Sequence, residues 1–304
     1  MMEIRLVKQE ELHHVKWDSC IHYANNGSLF GYRWFLNNVA KEWDALVEGD
    51  YESVFPLVWK QDIFKRKYLF QPMLTRALGI FSIHVLSPNR IQAFLDAIPS
   101  TYDYVQIALN EQNQWQTNQD YEWKKKKNYQ LWLDQPYEVI QQNYAPEVVA
   151  LIKEAKASYL RPVSNLKPER IAQFFKDHAV DRKDLEEKFH ALQRIMYNAM
   201  HRGVGFDNGI ENEKGELLAA NYFIYGHGKL LSLLPIHLSH LPSKLATVYA
   251  LDMLIKTNAG RPLILDLNST DDTLKTLGAL PSHYYQLQKD QRRWKLDKWL
   301  IKAG

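Results

Sequence analysis

Residues 205–236 read GFDNGIENEKGELLAANYFIYGHGKLLSLLPI, and residues 262–267 read PLILDL. The first stretch holds three strand-like runs, 205–211, 217–225 and 229–236, separated by turns. A loop follows, and then a helix from Lys244 to about residue 256. The run 262–267 is a fourth strand, a short helix comes next, and 284–288 is a fifth strand. An antiparallel meander, a crossover helix and a further strand make an α+β unit with a mostly antiparallel sheet.

The first half of the chain repeats that order. Strands at 44–47 and 51–59 flank Glu48-Gly49-Asp50, a hairpin turn in which the glycine supplies a positive φ. Pro56 has no N–H for a central ladder, so its strand is expected to bulge or to lie at an edge there. A third strand spans 67–71 and stops at Pro72. Ser87-Pro88 starts a helix with a side-chain cap and a proline at its first position. Ile91, Phe94, Leu95 and Ile98 form its apolar face, and Pro99 ends it. Strands at 103–109 and 129–133 follow, with a polar connection over 110–120. Upstream, Tyr32, Phe35, Leu36 and Val39 share one helical face.

Residues 134–203 lie between the repeats. Helices are expected over 147–157, 167–177 and 181–201, with Arg161-Pro162 as a break and Gly203 as the final stop. The repeat sets the domains at 1–133 and 134–304, each a mixed, mostly antiparallel sheet flanked by helices.

Of the 304 residues, 46% are hydrophobic, enough for two real cores. A net charge of +3 does not ask for a DNA partner. The single cysteine, Cys20, excludes an intramolecular disulfide and a cysteine-based zinc site, and the default setting is the cytoplasm. With charges at Glu3, Arg5 and Lys8 and no long apolar stretch, the first nine residues are not expected to act as a signal peptide. No run approaches the roughly 18 apolar residues of a transmembrane segment. The basic run 124–127 reads as a solvated turn before a strand, or as a phosphate contact.

Several segments resemble the tandem-GNAT architecture of the FemAB-like acyltransferases. In the first half these are 54–57 (VFPL) and 71–81 (QPMLTRALGIF). In the second half they are 149–155 (VALIKEA), 263–269 (LILDLNS), and 277–279 (LGA) followed by Tyr284-Tyr285. The resemblance covers nearly the whole chain and rests on the order of these segments. It implies two GNAT-like domains and transfer of an acyl or aminoacyl group to an amine on a small molecule or peptide. The donor it implies is acyl-CoA or aminoacyl-tRNA. CoA-binding relatives carry a glycine-rich loop before the central helix. Here that place is 239–244 (SHLPSK), without glycine and with Pro242 lacking an N–H, which fits aminoacyl-tRNA better than CoA. The helical arm of several Fem proteins has no counterpart.

Acyl transfer needs a neutral amine, a held carbonyl and donors for the oxyanion. The GNAT resemblance implies that the third and fourth strands splay, and Pro235 marks the place. The donor-binding candidates are Pro235, Ser239, Ser243 and Lys244. The catalytic candidates are Asp266 to hold or deprotonate the amine, His237 as base and Tyr222 as acid. The competing readings are a helix cap for Asp266 and a plain loop position for His237. The substrate-binding candidates are Asn221, Ser232 and Asn268 in the second domain, with Gln71 and Arg76 in a groove between domains. For the binding candidates they are plain solvent exposure for Asn221 and Ser232 and a surface salt bridge for Arg76. His237 and His240 have no third ligand, so no metal is expected. The alternative function is a non-catalytic binding protein on a degenerate GNAT fold.

Overall fold

The structure is a computed structural model that describes residues 3–178, 182–238 and 243–292. These form two compact units. The first takes residues up to Lys126 together with the segment from Tyr284, and the second is Lys127–His283.

In the first unit, β1 (Ile4–Val7), β2 (Trp43–Glu48), β3 (Ser53–Gln61) and β4 (Lys67–Leu69) pair antiparallel in that order. A two-residue strand, β5 (Phe81–Ser82), pairs with the start of β3. Helix α3 (Pro88–Asp96) then leads to β6 (Tyr102–Ala108), which lies parallel to β4. Ser87 caps α3 through the N–H of Arg90, and Ile91, Phe94 and Leu95 pack on Phe55, Leu57 and Leu69. Two earlier helices, α1 (His14–Tyr23) and α2 (Arg33–Val39), bury Trp17, Ile21, Phe35 and Leu36. The β2–β3 register runs without a bulge through Pro56. On its other side β3 pairs with β5 before Pro56 and with β4 after it, so the proline falls where no N–H is called for.

Strand β7 (Glu122–Trp132) passes from the first unit into the second. The run 124–127 is therefore strand and not the turn expected from sequence. In the second unit, α4 (Tyr137–Gln141), α5 (Pro146–Ala157), β8 (Arg161–Val163), α6 (Pro168–His178) and α7 (Arg182–His201) precede the hairpin of β9 (Gly205–Glu211) and β10 (Leu217–Gly226). Then come β11 (Lys229–Ser232), α8 (Lys244–Asn258), β12 (Ile264–Asp266) and β13 (Leu280–Asp290). Strands β8, β9, β10 and β11 pair antiparallel in order, and β12 lies parallel to β11. Helix α7 ends at Gly203, φ +66°, where the N–H groups of Gly203 and Val204 close on Met200 and Ala199. Helices α8 and α5 cover one face with an apolar core around Val148, Phe223, Leu251 and Leu265. Helix α7 lies on the other face, where it meets Tyr222.

Both units thus share a plan: three antiparallel strands, a crossover helix, and a fourth strand parallel to the third. The fifth strands are exchanged. The part of β7 in the second unit pairs antiparallel with β12 of that unit, while β13 returns to pair with β6 of the first. The division at 133/134 follows the repeat in the sequence, and the compact units differ from it by these two strands.

Candidate active site

The parallel ladder of β11 and β12 is short. It joins Lys229 to Ile264, Leu230 to Leu265 and Leu231 to Asp266, and then the strands part. Strand β11 was expected to reach residue 236 and stops at Ser232. The Ser232 hydroxyl donates to Leu234 O at 2.6 Å, and Pro235 has no N–H to continue the ladder. Beyond the ladder, Leu233 N–H turns to Tyr222 O (2.8 Å) and Ile236 N–H reaches Leu267 O (3.2 Å). Among the described residues, the N–H of Leu234 meets no acceptor. Asn268 bridges the parting strands, its Nδ2 donating to Ser232 O at 3.2 Å and lying 3.5 Å from Leu233 O.

Asp266 anchors that bridge. Its carboxylate is fully buried. Oδ1 accepts from Asn128 Nδ2 and from the N–H of Asn268, both at 3.0 Å. Oδ2 accepts from Gln130 Nε2 at 3.1 Å, with Lys229 Nζ 4.0 Å away. The bond to Asn268 N–H closes an Asx turn, which holds Asn268 at φ +50°. A carboxylate so surrounded orients its neighbours and has no lone pair aimed at an open cleft.

The other candidates divide clearly. Tyr222 is buried and donates to Met196 O (2.8 Å), and burial followed by the charge of Asp207 pushes its hydroxyl pKa well up. It is a tie to α7. His237 is half-buried at the splay, beside Asp271. Burial works against ionisation of Asp271, but the donors of Thr273 and Leu238 and the nearby His237 hold its carboxyl below the usual range. Ser243 caps α8 through Ala246 N–H (3.1 Å), and Lys244 Nζ lies 3.9 Å from Glu147 Oε1. Pro235 is exposed. Ser239 and His240 lie outside the described residues.

Asn221 is buried and donates to Asn208 Oδ1 (3.1 Å), whose own amide donates to Ala250 O (2.9 Å) on α8. Gln71 and Arg76 serve the first unit. Gln71 clips Thr75 Oγ1 (2.9 Å) to Ala108 N–H (3.0 Å). Arg76 pairs with Glu111 (3.3 Å) and lies over the Phe30 ring.

Sequence reasoning missed a charged cluster just past β12. Asp272 meets Lys127 Nζ, the Tyr129 hydroxyl and, at 3.0 Å, Lys275 Nζ. The three donors hold its carboxyl far below the ordinary range, and Asp272 in turn raises the Lys275 pKa. Lys127 in the basic run was the available signal, but its partners lie about 145 residues away. No group of three or more His, Cys, Asp or Glu among the described residues is arranged for a metal. Cys20 is buried, and burial pushes its thiol up to about 12. No helix among the described residues is long and apolar enough to cross a membrane.

No protein-family model matches the sequence, and no curated protein matches it. Among solved structures, FemX aligns with a TM-score of 0.60 over 93% of this chain and 97% of its own, at 10% identity. The L-PGS of Bacillus licheniformis gives a TM-score of 0.52 at 12% identity, covering 95% of this chain and 94% of its own. A tandem GNAT protein from the clavulanic acid biosynthesis pathway gives 0.52 at 11% identity, covering 94% and 98%. These likenesses establish the fold as α+β with tandem GNAT-like units of the FemX kind.

Proposed function

We propose that the chain transfers an acyl or aminoacyl group to an amine acceptor at the splay of β11 and β12. The observation that carries this reading is the Leu234 N–H, left without an acceptor among the described residues where the two strands part. Leu234 is itself largely buried, and an unpaired amide in such a place is costly unless a ligand meets it. A carbonyl oxygen is the acceptor it suits, and the interaction strengthens as that oxygen gains charge. Asn268 and Asp266 are then positioning residues that hold the strands apart. His237 is the base that takes a proton from the attacking amine. The amine nitrogen bonds to the carbonyl carbon, the C–O or C–S bond of the donor breaks, and the leaving group carries off the electron pair. The donor is an aminoacyl-tRNA or an acyl-CoA, and the acceptor a small molecule or a peptide. The solved relatives of this fold, including FemX and a tandem GNAT protein, support the reaction class by analogy.

The test is turnover with pools of aminoacyl-tRNA and acetyl-CoA, using the wild type, His237→Ala and Asn268→Ala. We expect one pool to be consumed, with a loss of about 10²–10⁴-fold in His237→Ala. If neither donor is bound or turned over, the reading fails. The rival is a binding protein without catalysis, favoured by the enclosure of Asp266 and Tyr222 in structural bonds. Saturable binding of a donor without turnover is the result that selects it.

A further inference from the structure

A groove of about 910 Å³ lies in the second unit, and it is not at the splay. Leu230 and Leu263 place it at the N-terminal ends of β11 and β12, whereas the strands part at their C-terminal ends. One wall is α8, through Ala250, Met253, Leu254, Thr257 and Asn258. Their spacing of three and four keeps them on one helical face. The opposite wall is the sheet, through Phe206 and Ile210 of β9 and Leu230 of β11.

The lining has a definite polarity. Asp207 and Arg261 are its only formally charged residues. Asp207 sits opposite Tyr222 in the β9–β10 register, and Tyr222 points to α7, so the Asp207 carboxylate lies on the far face of the sheet from α8. Its Oδ2 accepts from Leu166 N–H there, at 3.0 Å. Only the backbone of Asp207 borders the groove. The asparagines of the wall are engaged within the protein, Asn208 with Ala250 O and Asn258 with Leu254 O. Arg261 is exposed and gives one long bond, 3.3 Å, to Asn258 Oδ1. A guanidinium offers five donors in a fork that matches a carboxylate. The groove is therefore an apolar trough with one positive group on its rim.

We infer that this groove binds a single-chain amphiphile with an anionic head, of the class of medium-chain fatty acids. The chain lies along Phe206, Ile210, Leu230 and Met253, and the carboxylate meets Arg261. The volume is in the range of sites for small organic ligands. The site is separate from the splay and does not depend on the acyl-transfer reading.

The experiment is calorimetric titration of the full chain with decanoate, decanol and decylammonium below their micelle concentrations. The wild type is compared with Arg261→Gln and with Met253→Trp, whose indole fills the trough. Thermal unfolding of each variant checks that it is folded, and Thr257→Phe, at an exposed position on the same wall, serves as the filling variant if Met253→Trp is not. We expect saturable 1:1 binding of decanoate, with decanol and decylammonium at least tenfold weaker. Arg261→Gln should abolish the preference for decanoate over decanol, and the filling variant should weaken both. No saturable decanoate binding by the wild type overturns the inference. So does binding that neither variant changes, or an equal preference for decylammonium.

Discussion

Asp266 shows how burial decides between two roles for one residue. A base must reach its proton, and this carboxylate instead accepts from Asn128, Gln130 and the Asn268 backbone with no exposed surface. Asp266→Ala removes the common acceptor of three buried donors. We expect it to lower stability by about 3–5 kcal/mol in urea unfolding, the scale for breaking a buried charged network. A variant with wild-type stability and lost activity would contradict the structural role. Asp207 makes a second residue-scale case, in pH. Burial raises its carboxyl pKa, against opposing bonds from the Leu166 and Asn165 backbone. Between the ordinary carboxylate pKa and the raised one, the folded state holds more protons than the unfolded state. The contribution of Asp207 to stability is thus most favourable below the unfolded pKa and falls as pH rises through the folded one. Asp207→Asn keeps an acceptor for Leu166 N–H and removes the ionisation. It should stabilise the protein at neutral pH and leave it unchanged near pH 3, as read by denaturant melts across pH. A wild-type-like pH slope in the variant would refute this.

At the scale of elements, the parts legible in the sequence were those specified by neighbours in the chain. Ser87-Pro88 caps α3, Gly203 stops α7, and Gly49 takes the positive φ of the β2–β3 turn. Strand β11 shows where local reading ends. Its apolar run to residue 236 looks like one strand, yet a hydroxyl bond from Ser232 and the imino acid at 235 end the ladder early. The Asp266 site was half legible for a related reason. The aspartate stands out after an apolar run, but its donors at 128 and 130 come from a strand more than 130 residues away. A joint between β9, β10 and α7 makes a further element-scale test. A Cβ on Gly205 would lie 2.2 Å from the Tyr222 hydroxyl and 2.8 Å from Ala199 Cβ. Gly205→Ala should therefore cost about 1–3 kcal/mol by overpacking. In the Tyr222→Phe background the cost should shrink, because the nearest clashing atom is gone. Equal costs in both backgrounds would show that the glycine is needed for some other reason.

For the whole molecule, the exchanged fifth strands tie each unit to the other half of the sequence. The repeat was visible as an order of elements, but nothing local distinguishes β7 or β13 as belonging to one sheet or the other, because pairing across a sheet is fixed by partners far away. The physical consequence concerns folding. Residues 284–290 complete the first unit, where they pair with β6 and place Leu287, fully buried, among Phe94, Val105 and Ile107. A fragment of residues 1–133 carries the first repeat entire, yet leaves β6 with an open edge and its core without Leu287. It should not reach a native-like state, and its amide spectrum should lack dispersion. In the intact chain, Leu287→Ala should destabilise the first unit by about 2–5 kcal/mol, the range for deleting a buried leucine side chain. Hydrogen exchange locates the effect. Faster exchange should appear in Tyr102–Ala108 of β6, some 180 residues from the substitution, rather than only in the chain neighbours of residue 287. A well-folded 1–133 fragment, or a Leu287→Ala variant that leaves β6 exchange unchanged, would mean that each half of the sequence closes its own sheet.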